Sequence, residues 1–84
     1  MPFSEDFQQA LVATFAKAVA ESRDYVEIVS GDLHRYVGGY PGRDHRMALC
    51  CRVMKSQMRA ADEILSEPPS GQGASLVIRY RLPR

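Results

Sequence analysis

The sequence lacks the long apolar run that a membrane-spanning helix requires. No stretch approaches the roughly 18 consecutive apolar residues of such a helix, and Glu5 and Asp6 make the N-terminus acidic where a signal peptide is basic. We therefore expect a cytoplasmic protein without a membrane segment. The sequence also lacks repeats and low-complexity tracts, so we expect residues 1–84 to form a single domain around one core.

Cysteine is scarce, and this argues against both a disulfide framework and a zinc site. The only two cysteines, Cys50 and Cys51, are sequence neighbours that cannot easily bridge to one another. On a helix they point about 100° apart and cannot both bind one ion, even with His34 or His45 nearby. We interpret them as small buried hydrophobic residues. We expect no metal, no cofactor and no enzyme activity, because no nucleophile–base pair stands out.

The net charge of +1 conceals an uneven distribution. Residues 1–34 contain two cations and six acids, a net charge of −4, whereas residues 35–84 contain nine cations and four acids, a net charge of +5. Such asymmetry is a hint of nucleic-acid binding, although a solvated basic surface would look similar.

The first half of the chain predicts a helix, a strand and a short second helix. Ser4 is the expected N-cap of the first helix. Its apolar stripe is expected to comprise Phe7, Leu11, Val12, Phe15 and Val19. The β-branched and aromatic run 25–29 indicates a strand. Ser30 is the expected N-cap of the second helix, in which Leu33, Tyr36 and Val37 face inward before two glycines end it.

A third helix is expected from about residue 44 to residue 59, after a glycine- and proline-rich turn. Asp44 is a good N-cap, and no glycine or proline interrupts the segment that follows. One side of this helix is apolar and comprises Met47, Cys50, Cys51, Met54 and Met58. The other side carries His45, Arg52, Ser56 and Arg59, with Lys55 at the flank. Such a helix packs on a core and presents its cations to a negative partner.

The period then changes from that of a helix to that of a strand. We expect strands at 62–66 and 75–82, joined by a flexible loop at 68–74. In the second strand the apolar Leu76, Ile78, Tyr80 and Leu82 alternate with a mostly cationic set, Val77, Arg79 and Arg81. Arg84 is a further candidate cation of this hairpin.

This order of elements resembles the winged-helix branch of the helix-turn-helix family across nearly the whole chain. The resemblance implies an α+β fold with three helices, a short strand after the first helix and a C-terminal β-hairpin wing at about 62–82. It also implies that the third helix, at about 44–59, is the recognition helix. The turn at 38–43 is longer than that of a tight helix-turn-helix.

The resemblance implies a regulatory or accessory protein that binds duplex DNA, with the third helix in the major groove and the glycine-rich wing on the backbone. The candidate contacts are Arg43, His45, Arg46, Arg52, Lys55, Arg59, Gln72, Arg79 and Arg81. Arg43, His45 and Arg46, near the start of the helix, are expected to reach base edges or to fix the helix end on a phosphate. The others are expected to hold phosphates, including through the backbone amides at 71–73. The first helix is the expected surface for a homodimer or a protein partner. The alternative is a protein-interaction module of the same fold that binds an acidic partner.

Overall fold

A computed structural model describes residues 2–42 and 45–84. The described chain contains helices α1 (Ser4–Ala20), α2 (Ser30–Val37) and α3 (Met47–Ser56) and strands β1 (Tyr25–Val29), β2 (Glu63–Ser66) and β3 (Val77–Arg81), in the order α1-β1-α2-α3-β2-β3. The fold is therefore α+β, with three helices and a small sheet, and this order agrees with the sequence-based prediction.

The three strands form one antiparallel sheet in the order β1-β3-β2. The chain thus returns from the hairpin to pair its last strand with its first, and Ile28 lies opposite Ile78. Val26, Ile28, Ile78 and Tyr80 are buried on the face towards the helices. Leu76 and Leu82 continue the buried set beyond the ends of β3. The predicted inner face of the last strand is confirmed, although β3 is shorter than predicted.

Helix α1 supplies much of the core, but only from one side. Phe7, Leu11 and Phe15 are buried, as predicted. The prediction was wrong for Val12 and Val19, whose exposed fractions are 60% and 40%. Helices α2 and α3 and strand β1 all contact α1, and these two valines point away from that contact because they lie at a different angle around the helix.

Helix α2 turns a different face inward than the sequence predicted. Leu33 is buried and Val37 packs partly against the core, but Tyr36 is 75% exposed and His34 is fully buried. At about 100° per residue, Leu33, His34 and Val37 lie within one sector of the helix and Tyr36 lies outside it. The prediction of an inward Tyr36 was therefore wrong.

The helix starts also differ from the predicted caps. The residue preceding α1 is Phe3, whose amide donates to Asp6 Oδ2 at 2.7 Å, so Ser4 is already inside the helix. Ser30 is the first residue of α2 rather than its N-cap, and its hydroxyl donates to the carbonyl of Gly73 in the hairpin loop. The sequence could not show this long-range acceptor.

Helix α3 is shorter than the predicted 44–59. It begins at Met47, after Arg46, whose backbone is not helical (φ −125°, ψ 56°) and whose amide donates to His34 Nε2 at 2.8 Å. It ends at Ser56, and the amide of Arg59 donates to Asp62 Oδ2 at 2.7 Å instead of continuing the helix. The predicted N-cap Asp44 lies outside the described residues. The apolar side of α3 is buried as predicted at Met47, Cys50, Cys51 and Met54, with Val53 added.

Candidate nucleic-acid interface

The outward side of α3 is the best candidate for contact with a polyanion. Ala48, Arg52 and Ser56 are exposed there, while the opposite side of the helix is buried in the core. The 17 residues from His45 to Ala61 contain Arg46, Arg52, Lys55 and Arg59 and no acid. This acid-free run is a sequence signal more specific than the charge difference between the two halves of the chain.

Arg52 and Arg59 are the cations of this region that remain most available. Both side chains are exposed, and neither forms a salt bridge with any acid among residues 2–42 and 45–84. An arginine in this state can donate to a phosphate without first giving up an internal partner. Both residues are among the nucleic-acid contacts proposed from the sequence.

Lys55 connects α3 to the hairpin loop. Its Nζ donates to the carbonyl of Gly71 at 2.8 Å and to Glu67 Oε2 at 3.2 Å. A second contact lies one turn earlier, where Cys51 Sγ is 3.3 Å from both the amide and the carbonyl oxygen of Gly73. The loop is thus anchored alongside α3 at two points, whereas the sequence predicted a flexible connection.

The loop amides that were expected to bind phosphate already have acceptors within the chain. Gly71 N donates to the carbonyl of Pro68 at 2.8 Å, and Gln72 N donates to Ser70 Oγ at 3.3 Å. Gly73 N donates to Cys51 Sγ. Phosphate binding by these three amides would require the loop to give up its own hydrogen bonds. The exposed side chain of Gln72 is the part of this segment that faces solvent.

At the N-terminal end of α3 the candidates divide between the surface and the core. His45 is exposed, and its ring lies 5.8 Å from that of Tyr40 and 6.3 Å from that of His34. Arg46 is half-buried, and its Nη1 lies 3.4 Å from the carbonyl oxygen of Pro2. Its guanidinium and its amide therefore both hold the fold together at this end. Arg43 lies outside the described residues.

Arg79 lies on the other side of the sheet from α3. Its guanidinium binds Glu27 Oε2 at 2.8 Å and Glu63 Oε1 at 3.2 Å, and lies 4.9 Å from the centre of the Tyr25 ring. The hydrogen bond with Glu27 raises the pKa of Arg79. The next residue, Tyr80, points to the opposite face, where its hydroxyl donates to the carbonyl of Met54 in α3 at 2.8 Å. The structure therefore does not bring Arg79 to the α3 surface.

Asp62 organises the remaining cations at the end of the sheet. Its carboxylate accepts hydrogen bonds from the amide of Arg81 at 2.7 Å and from the amide of Arg59, and it binds Arg84 Nη1 at 2.6 Å. Burial alone would raise the pKa of Asp62, but the two amides and the Arg84 guanidinium together lower it below its ordinary value. Asp62 begins the strand predicted at 62–66, and no pattern in the sequence indicates this role.

The Asp62 contacts bury one arginine and bring two others together. The side chain of Arg84 is only 5% exposed; it also donates to the carbonyl of Gln57 and lies over the rings of Phe15 and Tyr80. Arg84 is therefore a structural residue rather than part of a cationic patch. The backbones of Arg59 and Arg81 meet at the same carboxylate, and both side chains are exposed. The hairpin and the α3 region thus meet here through their backbones only, because alternation along β3 puts the Arg81 side chain on the same face as that of Arg79, with which it lines a small cavity.

The two cysteines are buried and free, in agreement with the sequence analysis. Burial, together with the neighbouring Cys51, raises the pKa of Cys50 to about 12, so its thiol stays protonated at neutral pH. Within residues 2–42 and 45–84, no group of three or more histidine, cysteine or acidic side chains is placed to hold a metal ion.

No helix in the described ranges is both long enough and apolar enough to cross a membrane. Comparisons of the chain with protein-family models, with curated proteins and with solved structures found no match.

Proposed function

We propose that this chain is a winged-helix domain that binds duplex DNA through the outward side of α3. The observation that carries the proposal is the pair Arg52 and Arg59, two exposed arginines in a segment without acids, neither paired with an acid of the described ranges. Phosphates attract such cations at long range and are held by them at short range.

The order of the elements supports the same proposal. Helix α3 precedes a terminal hairpin, β2–β3, as the recognition helix precedes the wing in the winged-helix family that the sequence resembles. Lys55 holds the hairpin loop beside α3, so a duplex that contacts Arg52 would also meet the loop at Gln72. In this role Lys55 is a positioning residue, because its charge is already shared with Glu67.

The contacts divide into two kinds. Arg52 and Arg59 would bind phosphates without regard to sequence, whereas the side chain of Arg81 lies on the same face of the sheet as Arg79. His45, exposed at the start of α3, is the described side chain best placed to approach base edges when the helix lies in a major groove. Arg79 would contribute little, since Glu27 and Glu63 already neutralise it.

The proposal is tested by measuring the affinity of the purified chain for a labelled random-sequence duplex at low salt by fluorescence anisotropy. We expect Arg52→Ala and Arg59→Ala each to weaken binding several-fold, because each removes a charge-assisted contact with a phosphate. Arg79→Ala is the matched control, since it removes the same charge from the other side of the sheet.

Two outcomes would contradict the proposal. An equal loss of duplex affinity in Arg52→Ala and Arg79→Ala would show that affinity depends on the total charge of the chain rather than on the α3 surface. The second outcome is that an acidic polypeptide such as polyglutamate binds more tightly than the duplex and shows the same dependence on Arg52. This result would favour the alternative that α3 binds an acidic protein.

A further inference from the structure

Helix α1 has a second apolar stripe that faces away from the core. From Ala10 to Ala20 every residue is apolar except Thr14 and Lys17. Four of these apolar residues are buried in the core: Ala10, Leu11, Phe15 and Ala18. The remaining apolar residues are all exposed, and they recur at the spacing of a helix face: Val12, Ala13, Ala16, Val19 and Ala20. We call these five residues the outer stripe.

An outer stripe of this kind is unusual for a helix that has solvent on one side. A helix that is apolar around its whole circumference is normally covered on all sides. Val12 is 60% exposed in α1, and the neighbouring Tyr36 of α2 is 75% exposed. Nothing in the packing of the described residues requires these side chains to be apolar, so the pattern indicates a partner that covers them.

The surface beside the outer stripe is concave. A groove of about 840 Å³ runs between α1 and the end of α2, and a second groove of about 400 Å³ runs between α1, β1 and α2. Ala13 and Tyr36 line both grooves, so the tyrosine forms a ridge between them. Asp6 lines the first groove and Lys17 lines the second.

We propose that the outer stripe of α1 is the interface between two copies of this chain, with the two α1 helices packed antiparallel. The charges along α1 favour this occupant. Its first turn carries Glu5 and Asp6, and its last turn carries Lys17, while Glu21 and Arg23 follow the helix and offset one another. A parallel pair would place acids against acids, whereas an antiparallel pair places the acidic end of each helix against the basic turn of the other.

The geometry of the helix supports the antiparallel arrangement. When two copies of Ser4–Ala20 overlap along their whole length in opposite directions, Val12 lies at the centre and Asp6 comes next to Lys17 of the other copy. Asp6 and Lys17 lie on the same flank of the stripe, the side of Ala13, and like flanks face each other in an antiparallel pair about a two-fold axis. The small side chains of Ala13 and Ala16 let the two backbones approach closely.

This arrangement leaves the outward side of α3 free, because α1 and α3 pack against each other with their inner sides. It also gives the domain a second copy of its cationic surface, although the interface does not depend on nucleic acid. The inference is therefore separate from the proposed function, and the experiment that tests it is done without a duplex.

Sedimentation equilibrium of the full chain, from micromolar to near-millimolar concentration, tests the interface. We expect a monomer–dimer equilibrium. Val12→Glu should weaken it by about a hundredfold or more, because each dimer would then bury two carboxylates without partners. Leu65→Glu is the matched control: it changes an exposed apolar residue of β2 in the same way, away from α1, and should leave the dimer constant unchanged. Circular dichroism of both variants checks that the fold is retained.

The direction of the helices is tested by Lys17→Glu. In the antiparallel pair this change brings a new acid next to Asp6 of the other copy and should weaken the dimer several-fold. In a parallel pair the flank that carries residue 17 lies on the opposite side from the same flank of the other copy, so residue 17 meets neither Asp6 nor its own copy and the reversal should have little effect. A chain that stays monomeric at every concentration overturns the inference. A dimer that withstands Val12→Glu, or one that Leu65→Glu weakens equally, also overturns it.

Discussion

Arg84 and Arg52 carry the same group in opposite surroundings. The side chain of Arg84 is buried against the core, where Asp62 neutralises it, the carbonyl of Gln57 accepts from it and it lies over two aromatic rings. Arg52 extends into solvent from a helix segment without acids. The first charge is used within the fold, and the second forms no salt bridge with an acid of the described residues. The sequence alone makes these two arginines look alike, so what distinguishes them is the position of an acid far away along the chain.

Among the changes that test this comparison, removal of Asp62 should have the largest effect on the stability of the fold. Asp62→Ala leaves the guanidinium of Arg84 buried without its carboxylate and the amides of Arg59 and Arg81 without their acceptor. We expect a loss of about 3–5 kcal/mol in the free energy of unfolding, since breaking a buried ion pair strands the remaining charge. Urea denaturation monitored by circular dichroism measures this loss.

Asp32→Ala is the control for that experiment. It removes an acid from a pair with Arg35 that is 3.5 Å apart and largely exposed, and such pairs contribute between zero and about 1 kcal/mol. Equal destabilisation by the two changes would show that the Asp62 contacts do not stabilise the fold, and Arg84 would then belong with the available cations.

Lowering the pH should reduce the free energy of unfolding by a smaller amount, because Asp62 becomes protonated. The pKa of Asp62 is lower in the folded chain than in the unfolded chain, because the amides and Arg84 outweigh its burial. Its contribution to stability is therefore complete above the ordinary aspartate pKa of about 3.9, and it is lost as the pH falls through the lower folded value. The difference in the free energy of unfolding between the wild type and Asp62→Asn should shrink as the pH falls below about 4. A difference that stays constant over roughly the next two pH units would mean that folding does not lower the pKa of Asp62.

Much of the fold could be predicted from local patterns. The buried Phe7, Leu11 and Phe15 follow from the period of α1, and the buried Ile78 and Tyr80 follow from the alternation of β3. Three helix residues that were predicted to face inward are exposed, Val12, Val19 and Tyr36, and these three errors have one cause. Periodicity shows that a residue lies near an apolar sector, but which side of a helix is covered depends on where the other elements pack.

The candidate site was less predictable, because its electrostatics depend on contacts between distant residues. Arg79 is paired with Glu27, 52 residues away, and Lys55 is held by Gly71, 16 residues away. No local pattern shows such partners, so every cation of the hairpin and of α3 looked equally available. The acid-free run could have separated the cations of residues 45–61 from those of the hairpin, but not Arg52 and Arg59 from Arg46 and Lys55. The role of Asp62 had no comparable signal.

The salt dependence of duplex binding tests the central claim most directly. For each phosphate that a cation neutralises, the logarithm of the binding constant falls with the logarithm of salt concentration by a slope of about 0.9. If Arg52 binds a phosphate while Arg79 stays with Glu27 and Glu63, Arg52→Ala should reduce the slope by about one unit and Arg79→Ala should leave it unchanged. A slope that Arg52→Ala does not alter, or that Arg79→Ala reduces by the same amount, would contradict the assignment of the outward side of α3 as the nucleic-acid surface.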